Sequence, residues 1–186
     1  DAAGTKPFGF MPFYPGPGLG GHCIPIDPHY LAWKLRTLNF HSRFIELAGE
    51  ITRSMPAHVV SKVVDALNHF EESIRGSSIL VLGVTYKPDV ADIRESPALD
   101  IMQMLVNKGA KVSYNDPFIP EIAVDELDMT SEHLSAKLLE SKDCVVIATN
   151  HSEYDAKWIV KHSGCVVDTR NATKDVQSEG GRVVKL

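Results

Sequence analysis

SILVLGV, at residues 78–84, is a short apolar run of the kind that buried parallel strands show. A helix start follows at Ser96 and Pro97, because serine is a favoured N-cap and proline suits the first helical position. Gly109 marks the end of that helix, and KVSYND then predicts a second strand. Strand and helix alternation at this spacing predicts a parallel, doubly wound α/β sheet.

The same pattern continues towards the C-terminus. Further strands are predicted in CVVIATN, CVVDTRN and RVVKL, with a helix over 155–162 between the first two. Within 120–139 only SEHLSAKLLES indicates a helix, and the stretch before it is left unassigned. We therefore predict a Rossmann-like domain over residues 76–186.

A different organisation precedes residue 76. Residues 1–28 hold many of the glycines and prolines and are predicted to form a shaped loop. Asp27 is predicted to cap a short helix, and apolar residues three or four apart from Phe44 to Phe70 predict a longer helix with a buried face. Pro56 either kinks that helix or starts a second one. We assign residues 1–75 to an active-site loop and central helical segment.

The apolar face of the longer helix needs a partner surface. We predict a helix-helix contact in a homodimer, and packing against an N-terminal domain outside the chain is the equal alternative. The chain begins without Met, so we expect a piece of a longer protein.

Composition limits the functional classes. The 186 residues are 44% hydrophobic and carry a net charge of −5, which gives a nucleic-acid surface no support. No apolar stretch approaches the roughly 20 residues of a membrane span, and no signal peptide opens the chain. A cytoplasmic protein without membrane contact is expected.

The three cysteines divide into two kinds. Cys144 and Cys165 lie in strand-like runs, and we expect reduced thiols without disulfides. Cys23 instead lies in GPGLGGHCIPIDP, residues 16–28, where glycines allow close backbone approach and prolines stiffen the loop. The helix start at Asp27 favours a thiolate there. An inert packed thiol is the alternative, which composition alone favours.

Polar residues follow each predicted strand, and ligands of open α/β sheets bind at these strand ends. Lys87, Arg94 and Arg170 are cations in such positions and could meet phosphate charge. A GxGxxG fingerprint is absent, since only Gly83 is present, so this sheet is a poor candidate for the dinucleotide site itself. No metal site is predicted.

Long motifs of the chain resemble the UDP-sugar 6-dehydrogenases of the UDP-glucose/GDP-mannose dehydrogenase family. GPGLGGHCIPIDP resembles their active-site loop, GVTYKPDVADIRESPALDI their UDP-binding domain and FIELAGEITRSMP their central dimerising helix. YNDP and VVDTRN fall where that family has its later strand-end motifs. The resemblance implies NAD-dependent oxidation at C6 of a UDP-linked hexose to the carboxylate.

The resemblance also implies roles for individual residues. Cys23 matches the nucleophile, which would carry a thiohemiacetal and then a thioester, and Asp27 matches the aspartate that supports water activation in hydrolysis. The residues that match substrate contacts are Phe13, Tyr14, Gly18, Gly20, Tyr86, Lys87 and Arg170. Arg94 matches an arginine that reaches towards NAD.

NAD itself would be bound mainly by an N-terminal Rossmann domain that this chain lacks, so we expect the 186-residue chain alone to be inactive.

Two features bear on the substrate. Members that act on UDP-glucose often carry lysine where this chain has Ile26, and GHCIPIDPHYLAWK resembles the branch that oxidises N-acetylated sugars. UDP-N-acetylglucosamine is favoured over UDP-N-acetylmannosamine, with UDP-glucose as a further alternative. Two other classes remain: a UDP-sugar-binding and dimerisation module without chemistry, and a free-standing NAD-binding fold.

Overall fold

The computed structural model describes residues 2–177 and 182–186. The strands in this part of the chain are β1 (Ser78–Leu82), β2 (Lys111–Asn115), β3 (Glu121–Val124), β4 (Leu127–Thr130), β5 (Cys144–Ile147), β6 (Val166–Asp168) and β7 (Val183–Lys185). The α-helices are α1 (Asp27–Arg36), α2 (Arg43–His69), α3 (Pro97–Asn107), α4 (Ala136–Glu140) and α5 (Ala156–His162). A single 3-10 turn, Ala3–Thr5, precedes them.

Five strands pair in parallel in the order β2-β1-β5-β6-β7, which confirms the predicted α/β sheet. The chain passes from β1 to β2 on one side and later returns to place β5 on the other side of β1. The strand order therefore reverses between β1 and β5. Such a switch point opens a crevice at the carboxyl ends of the strands, where open α/β sheets bind ligands.

Helices cover both faces of the sheet. On one face, α2 and α3 pack against side chains such as Ile79, Val81 and Val146, all fully buried. On the other face, α4 and α5 cover Leu80, Val145 and their neighbours. Continuous apolar strands are what burial on both faces requires, which explains the apolar runs in the sequence.

Local capping chemistry sets the helix starts beside the switch point. The Ser96 hydroxyl accepts a hydrogen bond from the N–H of Ala98 at the start of α3, as predicted. Asp155 caps α5 by accepting from the N–H groups of Lys157 and Trp158. These caps satisfy amide groups that a helix start leaves unpaired.

The predicted buried face of the longer helix is correct for only half of α2. The helix is continuous over 27 residues with Pro56 inside it, so no second helix starts there. Val59, Val63 and their neighbours are buried against the sheet, whereas Phe44 and Leu47 are 89% and 51% exposed. The α2 residues that share a core cluster with side chains of β5 and β6 run from Val59 to Leu67, so only the second half of the helix packs on the sheet.

One smaller prediction is wrong, and the structure fills in one stretch that the sequence left open. Asp27 is not an N-cap but the first residue of α1, because its N–H already bonds to the Cys23 carbonyl at 2.8 Å and extends the turn into the helix. The unassigned stretch within 120–139 is an antiparallel hairpin of β3 and β4, and the helix after it, α4, has only five residues. In the described ranges, no helix combines the length and apolar composition needed to cross a bilayer.

Candidate active site

The carboxyl ends of four strands meet at one edge of the sheet, as the sequence predicts. Asp116, after β2, accepts hydrogen bonds from the Val84 N–H at 2.7 Å and from His151 Nε2 at 3.0 Å. The Thr149 hydroxyl, after β5, donates to the Thr85 carbonyl at 2.6 Å. These bonds fix the segment that follows β1, residues 83–96, which we call the 83–96 segment.

The 83–96 segment supports the loop that carries Cys23. We call residues 12–26 the thiol loop. The N–H of Gly21 donates to the Arg94 carbonyl at 2.9 Å. A Cβ on Gly20 would crowd the Cβ of Tyr86 and the Glu95 carbonyl, so a glycine is required for this approach. The close contact at Gly20 is therefore made to this chain's own backbone and to Tyr86.

Cys23 is exposed, and its Sγ lies 2.9 Å from Nδ1 of the adjacent His22. The turn that closes on the Cys23 carbonyl leads directly into α1, so the thiol lies at a helix N-terminus, where the helix dipole favours negative charge. Asp27 lies in the first turn of that helix. In the described part of the chain its carboxylate has no hydrogen-bond or ion-pair partner, which leaves it free to bind water.

From the sequence, no role is assigned to His22. Because His22 and Cys23 are neighbours in the sequence, their adjacency is the one sequence signal that could have suggested this contact. Histidine beside cysteine is a recurrent arrangement for sharing the thiol proton.

Arg94 and Lys87, two of the predicted ligand contacts, lie on the 83–96 segment and are exposed. The Arg94 guanidinium forms a fork with the Asp92 carboxylate, with Nη2 2.6 Å from Oδ2. The hydrogen bonds from Arg94 lower the pKa of Asp92 to about 2, and the charge of His22 adds a smaller effect. Lys87 Nζ lies 5.5 Å from the centre of the Tyr86 ring.

A cleft of about 1150 Å³ lies between the thiol loop, α2 and the loop after β6. Phe13, Tyr14, Gly18 and Arg170, four of the predicted substrate contacts, line it. Cys23 is not among its lining residues. The structure thus separates this cleft from the Cys23 thiol, and the thiol loop connects them.

Arg170 is the cation that the cleft partly buries. Burial lowers the pKa of its guanidinium, and the nearby charge of Asp168 opposes that shift. The Asp168 carboxylate is occupied by backbone N–H groups, among them that of Arg170 at 2.9 Å, and by the Thr173 hydroxyl at 2.6 Å. Within the described ranges no carboxylate pairs with the Arg170 guanidinium. An unneutralised charge in a cleft suits an anionic ligand.

The glycine that follows β1 at the sheet edge has a packing role. Gly83 has φ of +77°, and a Cβ there would collide with the Thr149 carbonyl, so this glycine serves the crossing of two chain segments. Arg94 is the predicted contact to NAD. Among the residues that the structure describes, no group of three or more His, Cys, Asp and Glu side chains is suited to a metal ion.

Comparison with known proteins identifies the family. The UDP-glucose/GDP-mannose dehydrogenase family matches twice, its central domain at residues 1–54 and its UDP binding domain at residues 80–175. The chain belongs to this family. It is a family of NAD-dependent UDP-sugar dehydrogenases, as the resemblance of the thiol loop implied. The predicted boundary between residues 75 and 76 falls in the interval between the two matches and stays a prediction.

Individual members of the UDP-glucose/GDP-mannose dehydrogenase family cover most of the chain. A UDP-N-acetyl-D-mannosamine dehydrogenase of Methanococcus maripaludis is 37% identical over 142 residues, which is 75% of this chain and 30% of the relative. A UDP-N-acetyl-D-glucosamine 6-dehydrogenase of Pseudomonas aeruginosa is 34% identical over 154 residues, 82% of this chain and 36% of the relative. The chain therefore spans about a third of the length of these relatives.

Solved structures of the family agree with the fold. The structure of a UDP-D-ManNAc dehydrogenase from Pyrococcus horikoshii superposes with a TM-score of 0.79 at 30% identity, over 99% of this chain and 42% of that one. An UDP-N-acetyl-mannosamine dehydrogenase from Staphylococcus aureus, Cap5O, superposes with a TM-score of 0.68 at 31% identity.

Proposed function

We propose that the protein containing this chain oxidises C6 of a UDP-N-acetylhexosamine to the uronate, with UDP-N-acetylglucosamine as the favoured substrate. The observation that carries the proposal is the exposed Cys23 thiol with the His22 ring 2.9 Å away, on a loop fixed by the Arg94 carbonyl. Relatives named for both N-acetylated epimers support the substrate class.

The thiol can supply covalent catalysis. After the C6 alcohol has been oxidised to an aldehyde, the Cys23 thiolate adds to the carbonyl carbon and forms a thiohemiacetal. Loss of a hydride from that carbon gives a thioester, and water then breaks the C–S bond to release the carboxylate and regenerate the thiolate. His22 takes the thiol proton, and Asp27 orients the attacking water from the first turn of α1.

The cleft supplies the binding energy. Arg170 faces the phosphates, while Phe13, Tyr14 and Gly18 contribute walls for the sugar and nucleoside. Gly20, Tyr86 and Lys87 are further substrate contacts in this proposal. NAD, when bound, accepts the hydrides, and Arg94 would be this chain's contact to it. The remaining NAD contacts and the cytoplasmic location stay predictions.

The test uses the full-length protein that contains this chain. NADH formation is measured with UDP-N-acetylglucosamine, UDP-N-acetylmannosamine and UDP-glucose, and the acid product is identified by mass spectrometry. We expect about two NADH per acid, highest kcat/KM for an N-acetylated sugar, and no turnover by residues 1–186 alone. Higher kcat/KM for UDP-glucose than for either N-acetylated sugar contradicts the substrate class.

A non-catalytic binding module is the second candidate, because Cys23 lies outside the cleft. Iodoacetamide labelling separates the two readings. An activated Cys23 reacts rapidly below pH 8.5, the usual pKa of a free thiol. Reaction only at higher pH favours the module.

We also propose a homodimer through the first half of α2. Phe44, Leu47 and Ile51 expose apolar area there, and such area is typical of surfaces that another protein covers. Sedimentation of the full-length protein and its Leu47→Glu variant tests this: we expect a dimer that the substitution dissociates. An unchanged dimer assigns the surface to packing within one chain.

A further inference from the structure

A buried histidine lies where the strand ends meet and takes no part in the chemistry described above. His151 follows β5, and its side chain is fully buried. Its ring lies between those of Phe118 and Tyr154, with centroids 5.0 and 5.5 Å away. A buried imidazole must find partners for both ring nitrogens, and these partners define what it holds in place.

The partners fix one tautomer. Nδ1 accepts a hydrogen bond from the Asp89 N–H at 3.0 Å, so the proton is on Nε2. Nε2 lies 3.0 Å from Asp116 Oδ2 and donates to it. Burial alone would raise the pKa of Asp116, but hydrogen bonds from His151, Val84 and Phe118 outweigh burial and lower it. The neutral ring therefore joins a charged carboxylate on one side to a backbone amide on the other.

The amide it holds belongs to the 83–96 segment. Asp89 has a φ of +61°, a left-handed conformation that is uncommon for non-glycine residues, although aspartate adopts it more often than most. Its carboxylate accepts hydrogen bonds from Ser152, from the N–H at 2.8 Å and from the hydroxyl at 2.6 Å. His151 and Ser152 thus attach the middle of the segment to the loop after β5.

The far end of the same segment supports the thiol loop. The Tyr86 N–H donates to the Asp92 carbonyl at 3.1 Å, which closes the segment on itself, and the Arg94 carbonyl accepts from the Gly21 N–H. Displacement of Asp89 would therefore shift the carbonyl on which the thiol loop rests.

We propose that His151 is a positioning residue, which sets the 83–96 segment, and through it Cys23 and Tyr86, by accepting the hydrogen bond from the Asp89 N–H. The kinetic part of the proposal rests on the dehydrogenase function proposed above. Its structural part, the coupling between His151 and the thiol loop, does not.

Two replacements in the full-length protein separate the two ring nitrogens. Asn can place an acceptor where Nδ1 lies, and Gln can place a donor where Nε2 lies. His151→Gln thus loses the bond to Asp89 and keeps the one to Asp116, and His151→Asn does the reverse. Both remove the same buried ring. The control is His162→Gln, at the end of α5, where the ring contacts Glu140 at 2.9 Å.

We expect His151→Gln to raise KM for the nucleotide sugar about tenfold, His151→Asn about threefold or less, and the control less than twofold. Hydrogen exchange followed by mass spectrometry is expected to quicken tenfold in peptides containing Asp89 and Gly21 for the Gln variant. A Gln variant with KM within twofold of the parent, or with unchanged exchange at Gly21, overturns the proposal.

Ser152→Ala covers the case in which the buried variants do not fold. It removes one hydrogen bond to Asp89 at an exposed position, and we expect KM to rise two- to threefold with faster exchange at Gly21. Unchanged values overturn the proposal. If the parent oxidises no nucleotide sugar, the proposed function fails, while the exchange measurements still decide whether His151 positions the thiol loop.

Discussion

Helix α2 shows two regions of the molecule in contrast. In its second half Val59, Val63 and Leu67 are almost fully buried against the sheet, while in its first half Phe44 and Leu47 expose half or more of their area. The thiol loop precedes the exposed half of α2 in the chain, and the sheet domain follows the buried half. The sheet domain is thus held by its own core, whereas the thiol region depends on contacts with the 83–96 segment.

The largest expected effect comes from replacing cysteines, because Cys23 is exposed in the thiol loop and Cys144 is buried in the sheet. In the full-length protein, Cys23→Ser lowers acid formation by roughly 10³-fold or more, as removal of a nucleophile does. Cys144→Ser is the matched replacement in the sheet, where a hydrogen bond with Cys165 and burial raise the pKa of the thiol. Its kcat is expected within twofold of the parent. Equal loss in both variants would remove the distinction.

Stability should differ between two leucines of one helix. Leu67→Ala deletes a side chain that is 1% exposed and is expected to lower the free energy of unfolding by about 2–5 kcal/mol. Leu47→Ala, at a position 51% exposed, should change it by less than about 0.5 kcal/mol at protein concentrations low enough to dissociate the proposed dimer. Urea denaturation followed by circular dichroism measures both. Similar losses would mean that another surface covers Leu47.

Arg170 and Arg94 are expected to affect the KM values of different ligands. Arg170→Gln is expected to raise KM for the nucleotide sugar roughly 10- to 100-fold, since a hydrogen bond to a charged group contributes about 1.5–3 kcal/mol. Arg94→Gln should raise KM for NAD instead and leave the sugar KM within threefold. Steady-state kinetics with each substrate varied tests both. A larger sugar effect at Arg94 would reverse the assignment.

The smallest effect concerns pH. The pKa of Asp92 is lowered to about 2 by Arg94, so its interaction with Arg94 is complete above the usual carboxyl value of 3.8 and is lost as pH falls through about 2. Carbon-13 NMR of the Asp92 carboxyl should give a midpoint near 2 in the parent and near 3.8 in Arg94→Gln. A parent midpoint near 3.8 would show that the fork does not persist in solution.

Much of the sheet was predictable because its strands are short apolar runs with clear stops. Local sequence alone predicts the strand in SILVLGV, the helix start at Ser96 and the helix end at Gly109, and the structure has all three. The β3–β4 hairpin was missed because each of its strands has only four residues, one of them acidic, which gives too short an apolar pattern to recognise. Periodicity predicted the apolar face of α2 and its need for a partner surface, but it could not show which half packs against this chain's own sheet.

The candidate site was likewise predictable only in part. Its strand-end residues could be foreseen, since parallel strands bring their carboxyl ends together. The pairing of Asp116 with His151 could not, because it joins residues 35 apart and depends on the packing of β1 between β2 and β5. Nor did the motif itself reveal that Cys23 lies outside the cleft lined by Arg170.

Helix α2 is a rod about 40 Å long, since it has 27 residues at 1.5 Å each. Pro56 has no N–H, so one backbone bond is missing at that point, and bending concentrates where a helix has lost such a bond. Thr52 and Met55, which line the cleft, lie within one turn of it. Flexing of the rod would therefore change the width of the cleft while leaving its anchorage in the sheet untouched.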